Sequence, residues 1–203
     1  DLILSILLSD LESLSSPNYS ISNHILDMLN TKYIIRRDSD GNKILSINNN
    51  AYGNAWFIEN LETDFTRDEE MIKTLFIYPD SSAVSTDFKE NKKFLKDDFS
   101  SIDLIEKTSN YIKYKTSNKY DGFAVFSEIF YPHGWNSSID GVETPHQRVN
   151  FLLRGMEIPK GDHVIEFKFE PQIVKSSSHL SLAGTSFFVL LTIFLGYLKF
   201  RKV

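Results

Sequence analysis

The chain contains no cysteine. Disulfide scaffolds, thiolate zinc sites and thiol nucleophiles are therefore excluded, and the redox compartment stays open. An excess of positive charge is also missing: 22 Lys and Arg stand against 27 Asp and Glu, a formal net charge of −5. All the acidic residues and all but three of the basic ones precede Ser176, so an acidic body is followed by a short basic tail. That distribution argues against a nucleic-acid partner, which requires a basic footprint. Among His24, His133, His146, His163 and His179, no two are three or four positions apart, as metal-binding helices need. There is no His-Glu-x-x-His, no Gly-x-Ser-x-Gly and no glycine-rich phosphate loop. The sequence assigns no metal, no cofactor and no catalytic residue. The acidic pairs Glu69/Glu70 and Asp97/Asp98 fall in polar stretches and read as solvated surface.

What is present is enough for a real core. The 203 residues are 41% hydrophobic and 13% aromatic, which is too apolar for a disordered chain. The length suits one ordinary domain with a little to spare. The chain begins at Asp1 without a basic-plus-apolar targeting signal and reads as a piece of something longer.

The C-terminus is the most informative stretch. From Ser176 to Leu198 no residue carries a formal charge, and the run from Leu180 is apolar all round rather than on one face. About 20 residues at ~1.5 Å each cover the ~30 Å hydrocarbon core of a bilayer. The run is read as a transmembrane helix, the alternative being a buried core helix. Lys199, Arg201 and Lys202 follow it directly, so the positive-inside tendency places the tail in the cytoplasm and the main body outside.

Ahead of the anchor, Leu4, Leu7, Leu8, Leu11 and Leu14 recur at helical spacing. They predict an amphipathic helix ending before Pro17, or else the end of an upstream membrane helix. A second helix is expected after Ser22, with Ile25, Leu26, Met28 and Leu29 on its apolar face. Lys32–Arg36 and Lys43–Ile47 flank a turn-rich Asp38–Asn42 and predict a hairpin. Asn54–Ile58 reads as a strand. Thr66-Arg-Asp-Glu69 is a capping box, with Met71, Ile72, Leu75 and Phe76 as the buried side of a short helix. Residues 79–100 are polar and aperiodic, and are expected to form a surface excursion.

From Ile102 to Pro171 strand follows strand. Ile102–Lys107 and Tyr111–Lys115 are separated by a turn, and Gly122–Phe126 is apolar on both faces, as a covered central strand would be. Trp135–Ile139 leads into Asp140-Gly141, a preferred two-residue hairpin turn. Val149–Met156 is expected as one strand. His163–Glu170 alternates, with Ile165, Phe167 and Phe169 on one side. The expectation is a mainly β fold: a helical lead-in (1–30), an extracytoplasmic β-sandwich (31–175) and a transmembrane helix with a cytoplasmic tail (176–203).

Residues 126–141 hold more special side chains than packing requires. The functional reading is a carbohydrate platform: Tyr131 and Trp135 as aromatic faces, Glu128 and Asp140 as acceptors for hydroxyls, Arg154 as donor. The packing alternative makes Trp135 the cap of the sandwich core. Asn18-Tyr-Ser20 and Asn136-Ser-Ser138 are sequons that only a eukaryotic secretory route would use.

Several of these segments together carry a resemblance. Leu26–Ile35, Gly53–Phe57, Ser127–Trp135 with Ile139–Gly141, Asn150–Arg154, Ile158–Gly161 and His163–Phe169 occur in the order found near the C-terminus of YfhO-family bacterial membrane proteins. The chain resembles the Bacteroidetes-type members over roughly residues 24–203. The resemblance implies a many-spanning parent of the GT-C glycosyltransferase type in the bacterial cytoplasmic membrane. Such an enzyme takes sugar from a polyprenyl-phosphate carrier and adds it to an envelope glycan on the outer face. The acidic catalytic residue of such enzymes lies near the N-terminus, so none is carried onto this numbering. The implied partners are the lipid bilayer and, through the parent, envelope glycan or lipid-linked sugar. The other reading is a membrane-anchored binding or structural module with no enzymatic parent.

Overall fold

A computed structural model describes residues 21–201. The expected first helix and the Asn18 sequon lie outside the described residues. The elements are α1 (Ile21–Met28), β1 (Tyr33–Arg37), β2 (Lys43–Ile47), β3 (Ala55–Ile58), β4 (Asn60–Glu62), α2 (Arg67–Thr74), β5 (Ser82–Val84) and β6 (Lys92–Lys93). They continue with β7 (Ser101–Lys107), β8 (Tyr111–Asn118), β9 (Gly122–Ile129), β10 (Trp135–Ile139), β11 (Val142–Glu143) and β12 (Gln147–Val149). The last are β13 (Leu153–Ile158), β14 (Gly161–Phe169) and α3 (Gln172–Arg201). The chain is mainly β, as its alternating segments predicted.

Two antiparallel sheets carry the body. One has the order β11-β10-β14-β8-β7 and the other β12-β13-β9-β3. Their facing sides share one apolar cluster that includes Tyr114 and Phe167 from the first sheet with Phe57, Phe126 and Met156 from the second. Phe126 lies at its centre, with ring centroids 5.0 Å from both Tyr114 and Phe167. The arrangement is sandwich-like.

The second sheet is covered on its other face too. Side chains alternate along a strand, so Ala124 and Phe126 of β9 face the first sheet while Phe123 and Val125 face away. These outward residues join Trp56, Ile58, Val149 and Leu153 in a second cluster, completed by Met28 of α1, Leu61 of β4 and Ala83 of β5. The two-sided apolarity of Gly122–Phe126 thus has a direct cause: it is the middle layer of three. Close approach explains one glycine. A Cβ on Gly155 of β13 would stand 2.7 Å from the buried Phe123 ring and 2.8 Å from Val149.

Three expectations are corrected. Residues 79–100 are not a plain surface excursion: β5 runs parallel to β4 in a three-stranded sheet with order β5-β4-β6, and Ala83, Val84 and Ser85 are fully buried. The parallel pairing is made by the crossover through α2. Val149–Met156 is not one strand. It turns at Asn150 and Phe151, both at positive φ (48° and 67°), so that β12 pairs antiparallel with β13. Finally, α2 buries Glu70 and Thr74, while Met71 and Ile72 are half-buried and Phe76 is exposed beyond its end. The capping box at Thr66 and Glu69 is present in both directions.

The predicted hairpin forms as β1–β2 and, among the described residues, pairs with no other strand. After β14 the chain enters α3, a single 30-residue helix. Neither core cluster includes a described residue of α3. Among the described residues no helix is long and apolar enough to cross a membrane. The side chains of α3 from Ser181 to Phe194 are all exposed.

Candidate functional site

The residues read from sequence as a carbohydrate platform separate into two places. Trp135 opens β10 and Asp140 follows its last residue. Five residues at ~3.3 Å each put them about 16 Å apart.

At the Trp135 end, the chain leaves β9, turns through Pro132-His-Gly134 and returns as β10. Gly134 sits at φ 104°, and a Cβ there would come within 2.9 Å of Phe169 and Pro171. This close fit brings Trp135 against Phe169, with ring centroids 5.3 Å apart. The other partner of Trp135 is Arg154, whose guanidinium carbon lies 4.3 Å from the Trp135 ring centroid and 5.2 Å from that of Phe167. Arg154 is 2% exposed and donates from Nε to the Ile129 carbonyl at 3.1 Å. Its Nη1 and the Tyr114 hydroxyl are buried without a hydrogen-bond partner among the described residues. Burial draws the guanidinium pKa below its ordinary value, opposed by Glu128 and Tyr114. Burial likewise raises the Tyr114 hydroxyl, and Glu128 adds to the effect. Glu128 itself accepts from Lys107 of the facing sheet at 2.5 Å.

The consequence for the platform is specific. Arg154 and Trp135 form an internal cation–π stack of the kind that strengthens when desolvated, so Arg154 faces the core rather than a surface ligand. Of the five residues of the platform reading, Tyr131 is the aromatic left substantially exposed, its ring edge-on to His133.

At the Asp140 end, the predicted Asp140-Gly141 turn forms with both residues at positive φ (51° and 81°). Asp140 Oδ1 accepts from the Val164 N–H at 2.8 Å, and Oδ2 lies 2.6 Å from His163 Nδ1. His163 Nε2 is 3.2 Å from the Lys160 carbonyl oxygen. Only imidazolium donates from both nitrogens, so the geometry favours charged His163. The Asp140 hydrogen bond raises the His163 pKa above 6.5, and the same bond lowers the Asp140 pKa below 3.8. Both groups line an open cleft of about 500 Å³ with Asp121 and Glu157 on its rim and Phe94, Ile139 and Ile158 on its floor. Each rim carboxylate already has a protein partner: the Lys160 N–H for Asp121 and Lys92 for Glu157.

These shifts fix the sign of a pH effect. Stability from the raised His163 is complete below its unfolded value near 6.5 and is lost as pH rises through the folded pKa. Stability from the lowered Asp140 is present above 3.8 and is lost as pH falls through its folded pKa. A His163→Gln variant should therefore lose stability on the acid side of neutrality and match the parent at alkaline pH, as read by urea unfolding. A deficit that persists at alkaline pH would show that the charged pair is not its source.

Two polar clusters escaped the sequence reading. Ser137 Oγ lies 2.8 Å from His146 Nδ1 and donates to the Thr144 carbonyl at 2.5 Å. Since the hydroxyl proton goes to a backbone oxygen, His146 is the donor to Ser137 and not its base. Burial, aided by Arg154, pulls the His146 pKa down to about 4, so the ring is neutral at physiological pH. The pair clamps the β10–β11 turn. The second cluster is centred on Glu70, which corrects its reading as surface: it is 0% exposed. Glu70 Oε1 accepts from Arg148 Nη1 at 2.9 Å and the Phe151 N–H at 3.0 Å, and Oε2 from the Thr86 hydroxyl at 2.8 Å. Arg148 also donates to the Phe151 carbonyl, Thr86 Oγ1 and Asp87 Oδ1. Glu69, its neighbour, stays exposed and caps α2. No spacing rule joins residues 70 and 148, so only the fold reveals the pair. Among the described residues, no three His, Asp or Glu side chains are grouped to hold a metal ion. No family model, no curated protein and no solved structure matches the chain.

Proposed function

We propose that the chain is the extracytoplasmic β-rich domain and closing membrane helix of a YfhO-like integral protein of the bacterial cytoplasmic membrane. In this reading the parent transfers sugar from a polyprenyl-phosphate carrier to envelope glycan, and the present domain has an accessory, acceptor-positioning role. The observation that carries the proposal is α3. Its described side chains from Ser181 to Phe194 include Phe187, Phe188, Leu190, Ile193 and Phe194, each more than half exposed and facing no core of this chain. Side chains of that kind need an apolar surrounding, and lipid is the one that suits a helix apolar on every face. In the sequence the uncharged run extends from Ser176 to Leu198 and covers a hydrocarbon core. The basic residues Lys199, Arg201 and Lys202 then lie on the cytoplasmic side. The ordered motifs from Leu26 to Phe169 support the family, and the cleft beside Asp140 is the concave surface available to an acceptor sugar.

The topology test uses the natural lack of cysteine. A Glu90→Cys variant should react with an impermeant thiol reagent in intact spheroplasts, and a Val203→Cys variant only after lysis. The reverse pattern would overturn the orientation, and labelling of both before lysis would overturn the span. The reading as an anchored, non-enzymatic module shares this topology. It is favoured by the engagement of Arg154, Asp140, Asp121 and Glu157 in bonds within the protein. The reading frame ahead of the Asp1 codon separates the two: further apolar spans favour the glycosyltransferase, a signal peptide without them favours the module.

A further inference from the structure

We infer that the β1–β2 hairpin rests on an anionic lipid surface, beside the point where α3 enters the bilayer. The inference rests on the reading of α3 as a membrane helix and adds to it a second lipid contact, made by the folded body.

The first argument is the composition of one hairpin face. Tyr33 pairs with Ile47 and Ile35 with Leu45, and all four side chains lie on the same side and are more than half exposed. Next along that face, Arg37 stands directly opposite Lys43. Like charges placed opposite each other are unfavourable unless an anion lies between or beside them. The nearby Asp38 does not serve, because its carboxylate is spent on the turn, accepting from the Asp40 and Asn42 N–H groups and from Asn42 Nδ2, and the Gly41 carbonyl that accepts from Arg37 Nη1 at 3.0 Å carries no charge to cancel it. An isolated two-stranded hairpin is marginal in water. An apolar stripe with a basic rim fits the boundary between acyl chains and anionic headgroups.

The second argument is where the hairpin is rooted. Its base is closed by the Asn48 N–H to the Lys32 carbonyl, and Asn48 Nδ2 ties it to Asp27 at 2.7 Å. Asn30, just before it, bonds Asn54 at 3.1 Å, and the Asn54 carbonyl accepts from the Ser127 N–H near the end of β9. From there the chain passes through Ile129 and Tyr131, both more than half exposed, to Trp135. Trp135 pairs with Phe169, the last residue of β14, and the Glu170 N–H donates to the Gly134 carbonyl just before α3 begins. The hairpin, the exposed Ile129 and Tyr131, and α3 therefore all leave the same end of the body. Tyrosine is a usual occupant of the membrane–water boundary. The acidic cleft lined by Asp121, Asp140 and Glu157 belongs to the opposite end, where Gly161 of β14 pairs with Asn118.

The experiment uses single-cysteine variants of the full chain, labelled with a polarity-sensitive fluorophore and reconstituted in phosphatidylcholine–phosphatidylglycerol vesicles containing spin-labelled lipid. Ile35→Cys and Leu45→Cys alter exposed side chains and leave the core intact. Both probes should shift to the blue and be quenched, as should one at Leu190→Cys in α3. A probe at Phe99→Cys should not respond, since Phe99 precedes the end of β7 paired with Ser117, away from α3. Adding Arg37→Gln and Lys43→Gln, or omitting phosphatidylglycerol, should release the hairpin probes while leaving the α3 probe quenched. Quenching in α3 alone would overturn the hairpin placement and leave the anchor standing. Loss of quenching in α3 would remove the anchor and this inference with it. Hairpin quenching that ignores phosphatidylglycerol would overturn the charge argument. Cross-linking through Ile35→Cys without quenching would assign the face to a second copy of the chain.

Discussion

An Arg148→Met variant should lose about 3–5 kcal/mol of folding stability, because it leaves a carboxylate buried without its counter-charge. Glu70 has no exposed surface, and its side-chain ion partner is Arg148. The loss also spreads. Phe151 adopts φ 67°, a conformation a bulky side chain avoids. Its N–H and carbonyl are held by Glu70 and Arg148 respectively, so removing either partner releases the turn between β12 and β13. That turn in turn grips β5, since the Asn150 side chain and N–H bond the Val84 backbone at 3.0 and 2.8 Å. Urea unfolding of the full chain in detergent, followed by Trp56 and Trp135 fluorescence, reads the loss. A Glu70→Met/Arg148→Met double variant should cost less than the two single changes added together, because each single change strands the other partner. A single-variant loss below about 1 kcal/mol would match an ordinary exposed ion pair and sink this account.

The second large effect concerns membrane insertion. A Val189→Arg/Leu190→Arg variant places two cations near the middle of the uncharged run, at ~2.5–3.5 kcal/mol each on an insertion scale. Each Leu, Ile, Val or Phe of the run contributes only about −0.3 to −0.6 kcal/mol. The run holds eleven such residues, worth roughly 3–7 kcal/mol, so two arginines at roughly 5–7 kcal/mol together cancel the favourable balance, and the 203-residue chain should move from the membrane pellet to the supernatant on alkaline carbonate extraction. The body should keep its β circular dichroism, because neither core cluster draws on α3. Retention of the variant in the pellet would remove the main support for the anchor. Loss of β structure would show that α3 packs against the body.

Local signals in the sequence proved legible wherever the physics was local. The capping box at Thr66 and Glu69, the Asp140-Gly141 turn and the β1–β2 hairpin each depend on residues within a few positions of one another, and each forms as expected. The candidate site was less legible. Tyr131 and Trp135 both lie against the Phe169 ring, but nothing in their spacing shows that Arg154 would stack inside on Trp135. The distance of Asp140 from Trp135, by contrast, already follows from the strand read over Trp135–Ile139.

The sequence by itself determined the mainly β character, the middle strand apolar on both faces and the uncharged C-terminal run. Each follows from side-chain periodicity and composition along one stretch of chain. Tertiary structure alone decided that Glu70 is a core residue and that Ala83, Val84 and Ser85 are part of the interior. It also placed a hairpin with an unpaired apolar face at the same end of the body as α3. For the first two the physical reason is the same. A charge is stable in the interior, and a polar segment can be buried, only when partners distant in sequence satisfy their hydrogen bonds. For Glu70 those partners lie 78 and 81 residues away.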